Sequence, residues 1–294
     1  MSIAMAAFTM NDAITKGLMD EMNAGQVMFV RGLFATILVG LLAWQQKALH
    51  APLKTLNPLV VARAACELGA TITFLTALAH MPIANVSAVL QSLPLAVTMG
   101  AALLFGEPVR WRRWLAISIG FAGVVVIVRP GFDGFSVYSL FALACVVFCA
   151  LRDLVTRRIP SEIPSLLVST VTAGVVTIFG LALVVPLGGW TELTLESTGR
   201  LAGAAMLLMP GYIFIILAMR SGDVSFVAPF RYTALLWAIV LGIVFFGELP
   251  DLAMLVGAAL VIASGLYTLY REGVVGKRKP ISESTGATMA PDGT

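Results

Sequence analysis

The sequence predicts an all-α integral membrane protein with ten transmembrane helices in two inverted five-helix repeats, and three observations carry that reading. Its 294 residues are 59% hydrophobic and only 12% charged, with a mean hydropathy of +0.94. Soluble domains carry about 25% charged residues, so the surplus apolar surface must face lipid. A block of residues recurs at a constant offset of 141: Asp12 with Asp153, Thr15 with Thr156, Lys16 with Arg157, Ala77 with Ala218, Val86 with Val227, and Phe105-Gly106-Glu107 with Phe246-Gly247-Glu248. Basic residues alternate in abundance from one inter-helix loop to the next. An odd number of spans per copy turns the second copy upside down relative to the first.

Taken in order, apolar runs of membrane-crossing length, about 17 to 25 residues, cover positions 1–18, 25–44, 58–79, 84–105, 112–129, 137–157, 164–188, 200–218, 224–246 and 250–270. The first run carries Asn11 and Asp12 and lacks the basic start and small-residue cleavage site of a signal peptide, so it reads as a span. Polar turns at Gln45–Asn57, Pro160–Pro164 and Gly188–Gly199 separate several spans, and only Arg220–Asp223 divides the eighth from the ninth. Residues 1–130 form the first repeat, 131–272 the second, and 273–294 a disordered cytoplasmic tail rich in Lys, Ser, Gly and Pro.

Short loops rich in Lys and Arg stay in the cytoplasm. With both termini inside, the inner side holds Lys47, Lys54, Arg110, Arg112, Arg113, Arg157, Arg158, Arg220, Arg271, Lys277, Arg278 and Lys279, and the outer side only Lys16, Arg129 and Arg200. That imbalance predicts a multi-pass protein of the cell inner membrane. The repeat obeys the same rule, because Lys16 falls outside and its counterpart Arg157 inside. Trp111, Trp114, Trp190, Tyr267 and Tyr270 occupy interfacial positions and receive no ligand role.

Several function classes are set aside. Cys66, Cys145 and Cys149 lie in apolar runs without ligand spacing, and His50 and His80 lie near helix ends, so no metal site, cofactor or disulfide framework is expected. A net charge of +3 without a basic stripe disfavours nucleic acid. No Walker pattern is present for direct use of ATP.

At the paired helix ends Leu103-Leu104-Phe105-Gly106-Glu107 and Val244-Phe245-Phe246-Gly247-Glu248, each followed within two residues by a proline, the chain resembles the EamA-type branch of the drug/metabolite transporter superfamily. Ala228-Pro229-Phe230-Arg231-Tyr232 and the first-helix run Asn11–Lys16 support the resemblance, which covers nearly the whole chain. It implies two inverted halves around a central cavity and the movement of a small organic solute by alternating access. It also includes riboflavin carriers, so riboflavin uptake leads; export of amino acids or related metabolites and a membrane enzyme are the alternatives. A lipid bilayer, a small-molecule substrate and a counter-transported proton or solute are the expected partners, with no catalytic residues.

Charged groups inside spans cost about 2.5 to 3.5 kcal/mol each on insertion scales and therefore need a reason to be there. Here they are Asp12, Arg31, Arg63, Glu67, Arg152, Asp153 and Arg231. Arg63 and Glu67, four apart, share a helix face and can pair. Arg231 and Tyr232 follow Pro229, whose missing amide kinks or starts a helix, and offer a cationic fork and a phenol. Gln91, before Pro94, sits in the topological counterpart of that helix. The expected substrate contacts are Arg63, Glu67, Gln91, Tyr212, Phe230, Arg231 and Tyr232, with Arg231 lining the central cavity and Glu67 close enough to tune it. Gating or structural charges are Asp12, Lys16, Arg152, Asp153 and Arg157, with Lys16 and Arg157 satisfying Asp12 and Asp153 one turn away. Glu107 and Glu248 are expected to brace the next helix.

Overall fold

The computed structural model describes residues 1–46, 57–131, 135–160, 162–221 and 227–275. Lys47, Lys54 and the tail from position 276 onward lie outside the described residues. The described chain is helical throughout its ordered elements: α1 (Ser2–Leu18), α2 (Ala24–Gln45), α3 (Pro58–His80), α4 (Ile83–Phe105), α5 (Trp111–Val128), α6 (Tyr138–Thr156), α7 (Ser165–Val184), α8 (Leu195–Ser221), α9 (Ala228–Phe246) and α10 (Leu252–Val275). Nine of these have the length and apolarity to cross a membrane. At 17 residues, α1 spans about 25 Å and is the shortest.

Local chemistry sets the helix ends. Asn23 caps α2 by accepting the Gln26 amide, and Asn57 caps α3 by accepting the Leu59 amide, with Pro58 filling the first turn where a missing N–H costs nothing. Two spans expected to be continuous are broken. Within α4, Ile83–Leu90 and Leu93–Phe105 are separated at Gln91 and Ser92, where Pro94 withholds an amide from the preceding turn. In α9, Ala228–Tyr232 is a 3₁₀ turn containing Pro229, and the α-helix begins at Thr233. The two changes fall at Gln91 and Tyr232, which are 141 positions apart.

The helix stops repeat as well. Gly106 and Gly247 end α4 and α9 with φ of 65° and 64°. In the turn that each closes, the Glu107 amide donates to Ala101 O and the Glu248 amide to Gly242 O, both at the same sequence offset. Only glycine enters this left-handed conformation without penalty, which explains the Phe-Gly-Glu motif in both copies.

Packing follows the repeat. The main partners are α2 with α7, α5 with α10, α3 with α6, α1 with α8, α1 with α9, and α4 with α6. Exchanging each first-half helix for the helix five places later turns α3 with α6 into α8 with α1, and α4 with α6 into α9 with α1. The α2–α7 and α5–α10 pairs map onto themselves. This is the inverted ten-helix arrangement, and each of these pairs joins one helix from each half. The halves interlock rather than form separate cores. Close approach needs small residues: a Cβ on Gly123 of α5 would lie 2.7 Å from Gly257 O of α10, and one on Gly257 would lie 2.6 Å from Gly123 O.

A candidate solute cavity between four helices

A cavity of about 300 Å³ lies between α2, α3, α7 and α8. Its wall runs along α2 from Val27 to Gln46, so it spans most of the helix length. Most of the lining is aliphatic, including Met28, Leu38, Leu208 and Met209, and a few polar groups converge on it: Arg31, Arg63, Glu67, Thr71, Ser169 and Thr172. That composition is typical of a small-molecule site.

Arg63 projects from α3 and is 2% exposed. Its Nε donates to Thr156 Oγ1 of α6 at 3.0 Å and its Nη1 to Thr172 Oγ1 of α7 at 2.6 Å. Each threonine hydroxyl donates its own proton to a carbonyl one turn back in its helix, Thr156 to Arg152 O and Thr172 to Val168 O. Their lone pairs are therefore left to accept from the guanidinium. The planar fork of arginine fixes three helices with one side chain.

Glu67, one turn along α3, receives Arg152 of α6 at 3.3 Å. Arg152 also donates its Nε to Asp153 Oδ1 at 2.9 Å. Asp153 is 2% exposed, its Oδ2 has no hydrogen-bond partner among the described residues, and Arg231 acts on it electrostatically. Opposite charges thus alternate from Glu67 through Arg152 and Asp153 to Arg231. On the other wall, Arg31 donates to Thr15 Oγ1 at 3.3 Å and lies within electrostatic reach of Asp12.

Of the residues expected to contact substrate, Arg63 and Glu67 line this cavity. Arg231, Tyr232 and Gln91 instead line a second, smaller cavity of about 40 Å³ where the breaks of α4 and α9 meet. Phe230 is 42% exposed and lines neither cavity, and the side chain of Tyr212 lies outside the described residues. No aromatic residue appears among the described lining residues of the larger cavity. Arg31, Thr71, Ser169 and Thr172 were not singled out as contacts from sequence; a lone Thr or Ser in an apolar helix usually bonds its own backbone, and these gave no further signal.

The charged ends differ from expectation. Lys16 does not serve Asp12: its Nζ is bound to Glu248 at the end of α9 and donates to Met81 O at 2.6 Å. Arg157 reaches Glu107 at the end of α4, at 3.0 Å, rather than Asp153. Glu107 and Glu248 therefore do more than brace the helix that follows.

Beyond the cavity, on the side where α1 ends and α2 begins, hydrogen bonds tie α2 to the connection between α7 and α8. Gln26, fully buried, donates to Thr191 O and accepts from both Thr191 N and Thr191 Oγ1. Asn23 donates to Gly189 O at 2.6 Å.

Ten helices in inverted halves, enclosing an apolar cavity with a few charges, define a multi-pass membrane transporter. The chain belongs to the EamA-like transporter family, whose profile matches it twice, over residues 1–129 and 137–270. It is similar to an S-adenosylmethionine uptake transporter of Rickettsia conorii, 26% identical over 96% of this chain and 95% of that protein. It is also similar to a riboflavin transporter of Rhizobium johnstonii, 28% identical over 79% of this chain and 74% of that protein. A solved crystal structure shares the fold with a TM-score of 0.60 at 20% identity, covering 92% of this chain and 97% of that one. The named relatives are transporters, which removes the membrane-enzyme alternative.

Proposed function

We propose that the protein takes up a small organic metabolite bearing both an ammonium-type cation and a carboxylate, with S-adenosylmethionine as the first solute to test. The observation that carries this reading is the presence of both charge signs in one apolar cavity: Arg63 and Glu67 one turn apart on α3, and Arg31 on α2. A zwitterionic head spans such a pair, and the aliphatic and methionine wall takes the remainder. The likeness to S-adenosylmethionine uptake transporters over nearly the whole chain supports the choice. Arg63 and Glu67 are the contact residues, and the repeats 1–130 and 131–272 rock about the site in the cell inner membrane, with both termini cytoplasmic. A counter-transported proton or solute supplies the coupling.

Riboflavin uptake is the second reading, favoured by the riboflavin-transporter relative and by the hydroxyls of Thr71, Ser169 and Thr172 as hydrogen-bonding groups. Proteoliposomes given radiolabelled S-adenosylmethionine, riboflavin or an amino-acid panel separate the readings. Accumulation of S-adenosylmethionine that unlabelled riboflavin fails to compete is expected. Riboflavin movement alone would replace the first reading with the second.

A further inference from the structure

We propose that Lys16–Glu248 and Arg157–Glu107 are paired latches that hold the two halves together at opposite membrane faces and open in alternation during transport. Both pairs join the halves: Lys16 and Glu107 belong to the first repeat, Glu248 and Arg157 to the second. Each is the image of the other at the 141-residue offset, since Lys16 corresponds to Arg157 and Glu248 to Glu107. Inversion places one pair at the end of α1 and the other at the end of α6, on opposite sides of the bilayer. A chain with two equivalent ways to close, one per face, needs two equivalent fastenings.

The two are unequal in this conformation. Lys16 and Glu248 have side-chain exposures of 12% and 20%, against 29% for both Arg157 and Glu107. The first pair is also woven into its surroundings. Lys16 donates to Met81 O and lies over the Phe246 ring, while the second oxygen of Glu248 accepts the Ile83 amide at the start of α4 at 2.9 Å. The better-shielded latch sits on the face where Gln26 and Asn23 tie α2 to the α7–α8 connection, whereas the cavity wall extends toward the opposite face as far as the exposed Gln46. Shielding from water strengthens an ion pair, and an exposed pair contributes little. Both pairs are formed here, but the better-shielded one is the stronger fastening, so its face is the closed one and the Arg157–Glu107 pair is the latch that yields first.

This inference rests on the transport class, not on the identity of the solute. The test places a reporter, Met28→Cys, at the Gln26 end of the cavity in a chain whose Cys66, Cys145 and Cys149 are replaced by alanine. A membrane-impermeant maleimide is applied separately to intact cells and to inverted vesicles, with Glu192→Cys marking which preparation presents the Lys16 face. Lys16→Gln is expected to raise labelling from that face about five- to ten-fold, the range of a modest coupling free energy. Glu107→Gln is expected to shift labelling in the opposite sense, and the exchange Lys16→Glu with Glu248→Lys to restore protection. Glu248→Gln substitutes for Lys16→Gln if the latter does not fold. Equal changes from both pairs, or unchanged labelling in all variants, would overturn the proposal, because a merely structural bridge has no reason to bias the two faces in opposite directions.

Discussion

Arg152 Nη1 lies 3.3 Å from Glu67 Oε2, and the same guanidinium holds Asp153, so one cation stands between two intramembrane carboxylates. The balance is asymmetric. Removing Glu67 leaves Arg152 with a partner, whereas removing Arg152 takes the ion-pair partner from Glu67 and leaves Asp153 with Arg231 alone. Truncating one partner of a buried pair typically costs about 3 to 5 kcal/mol. Arg152→Leu is expected to lose stability in that range and Glu67→Gln distinctly less, with Asp153→Asn partly rescuing the Arg152 variant. Urea unfolding in detergent micelles measures the order; a reversed order would show that Asp153 relies mainly on Arg231.

Arg63→Lys keeps the charge but not the fork. Lysine has one ammonium, which is unable to reproduce the Nε and Nη1 geometry toward Thr156 and Thr172 on separate helices. Loss of one charge-assisted hydrogen bond, about 1.5 to 3 kcal/mol, is expected to weaken S-adenosylmethionine binding at least tenfold while folded protein remains abundant. Thr172→Val should give a smaller effect of the same sign. Binding isotherms on purified protein check both, and wild-type affinity in Arg63→Lys would remove Arg63 from the contacts.

Architecture was legible because the bilayer imposes a length and apolarity on each span and because the duplication leaves matches at one constant spacing. The sites were legible only where charge made a residue conspicuous. Lys16 follows Asp12 by four residues, and sequence supplies no better partner, yet Glu248 lies 232 positions away and is brought close by the contact of α1 with α9. The same limit applied to Arg157, whose partner Glu107 sits across the α4–α6 contact. Gln26 and Thr172 look like ordinary polar residues in membrane helices, and their roles depend on a facing loop and a facing helix. Pro94 and Pro229 were visible, but that both helices break at equivalent positions follows from packing as well as from the missing amides.

Gln26→Leu removes all three bonds to Thr191 while leaving an apolar side chain of similar size in the buried position. Thr191 is exposed and recovers partners from water, so the loss should stay near the net value of a few neutral hydrogen bonds, about 2 kcal/mol in total. Faster amide exchange in the Gly188–Leu195 connection is the expected signature, read by hydrogen–deuterium exchange mass spectrometry. Unchanged exchange there would mean that Asn23 alone secures the connection.

Gly180 provides the sharpest packing test, because its helix supplies its own control. A Cβ at Gly180 of α7 would lie 2.7 Å from Phe29 N and 2.8 Å from Met28 Cβ on α2, while one at Gly174 of the same helix meets no atom within 4 Å. Gly25, facing this contact from α2, would place a Cβ 2.8 Å from Leu183 C, so relief by sliding is blocked from both sides. Gly180→Ala must therefore push α2 and α7 apart along the wall they share, at an overpacking cost of about 1 to 3 kcal/mol. Gly174→Ala meets no such obstacle and gains helix propensity, by up to about 1 kcal/mol. The expected result is opposite shifts in the unfolding midpoint for two identical substitutions six residues apart, with solute binding impaired only in Gly180→Ala. Equal tolerance at the two positions would show that α2 and α7 separate at little cost, and that their close approach at Gly180 does not shape the cavity.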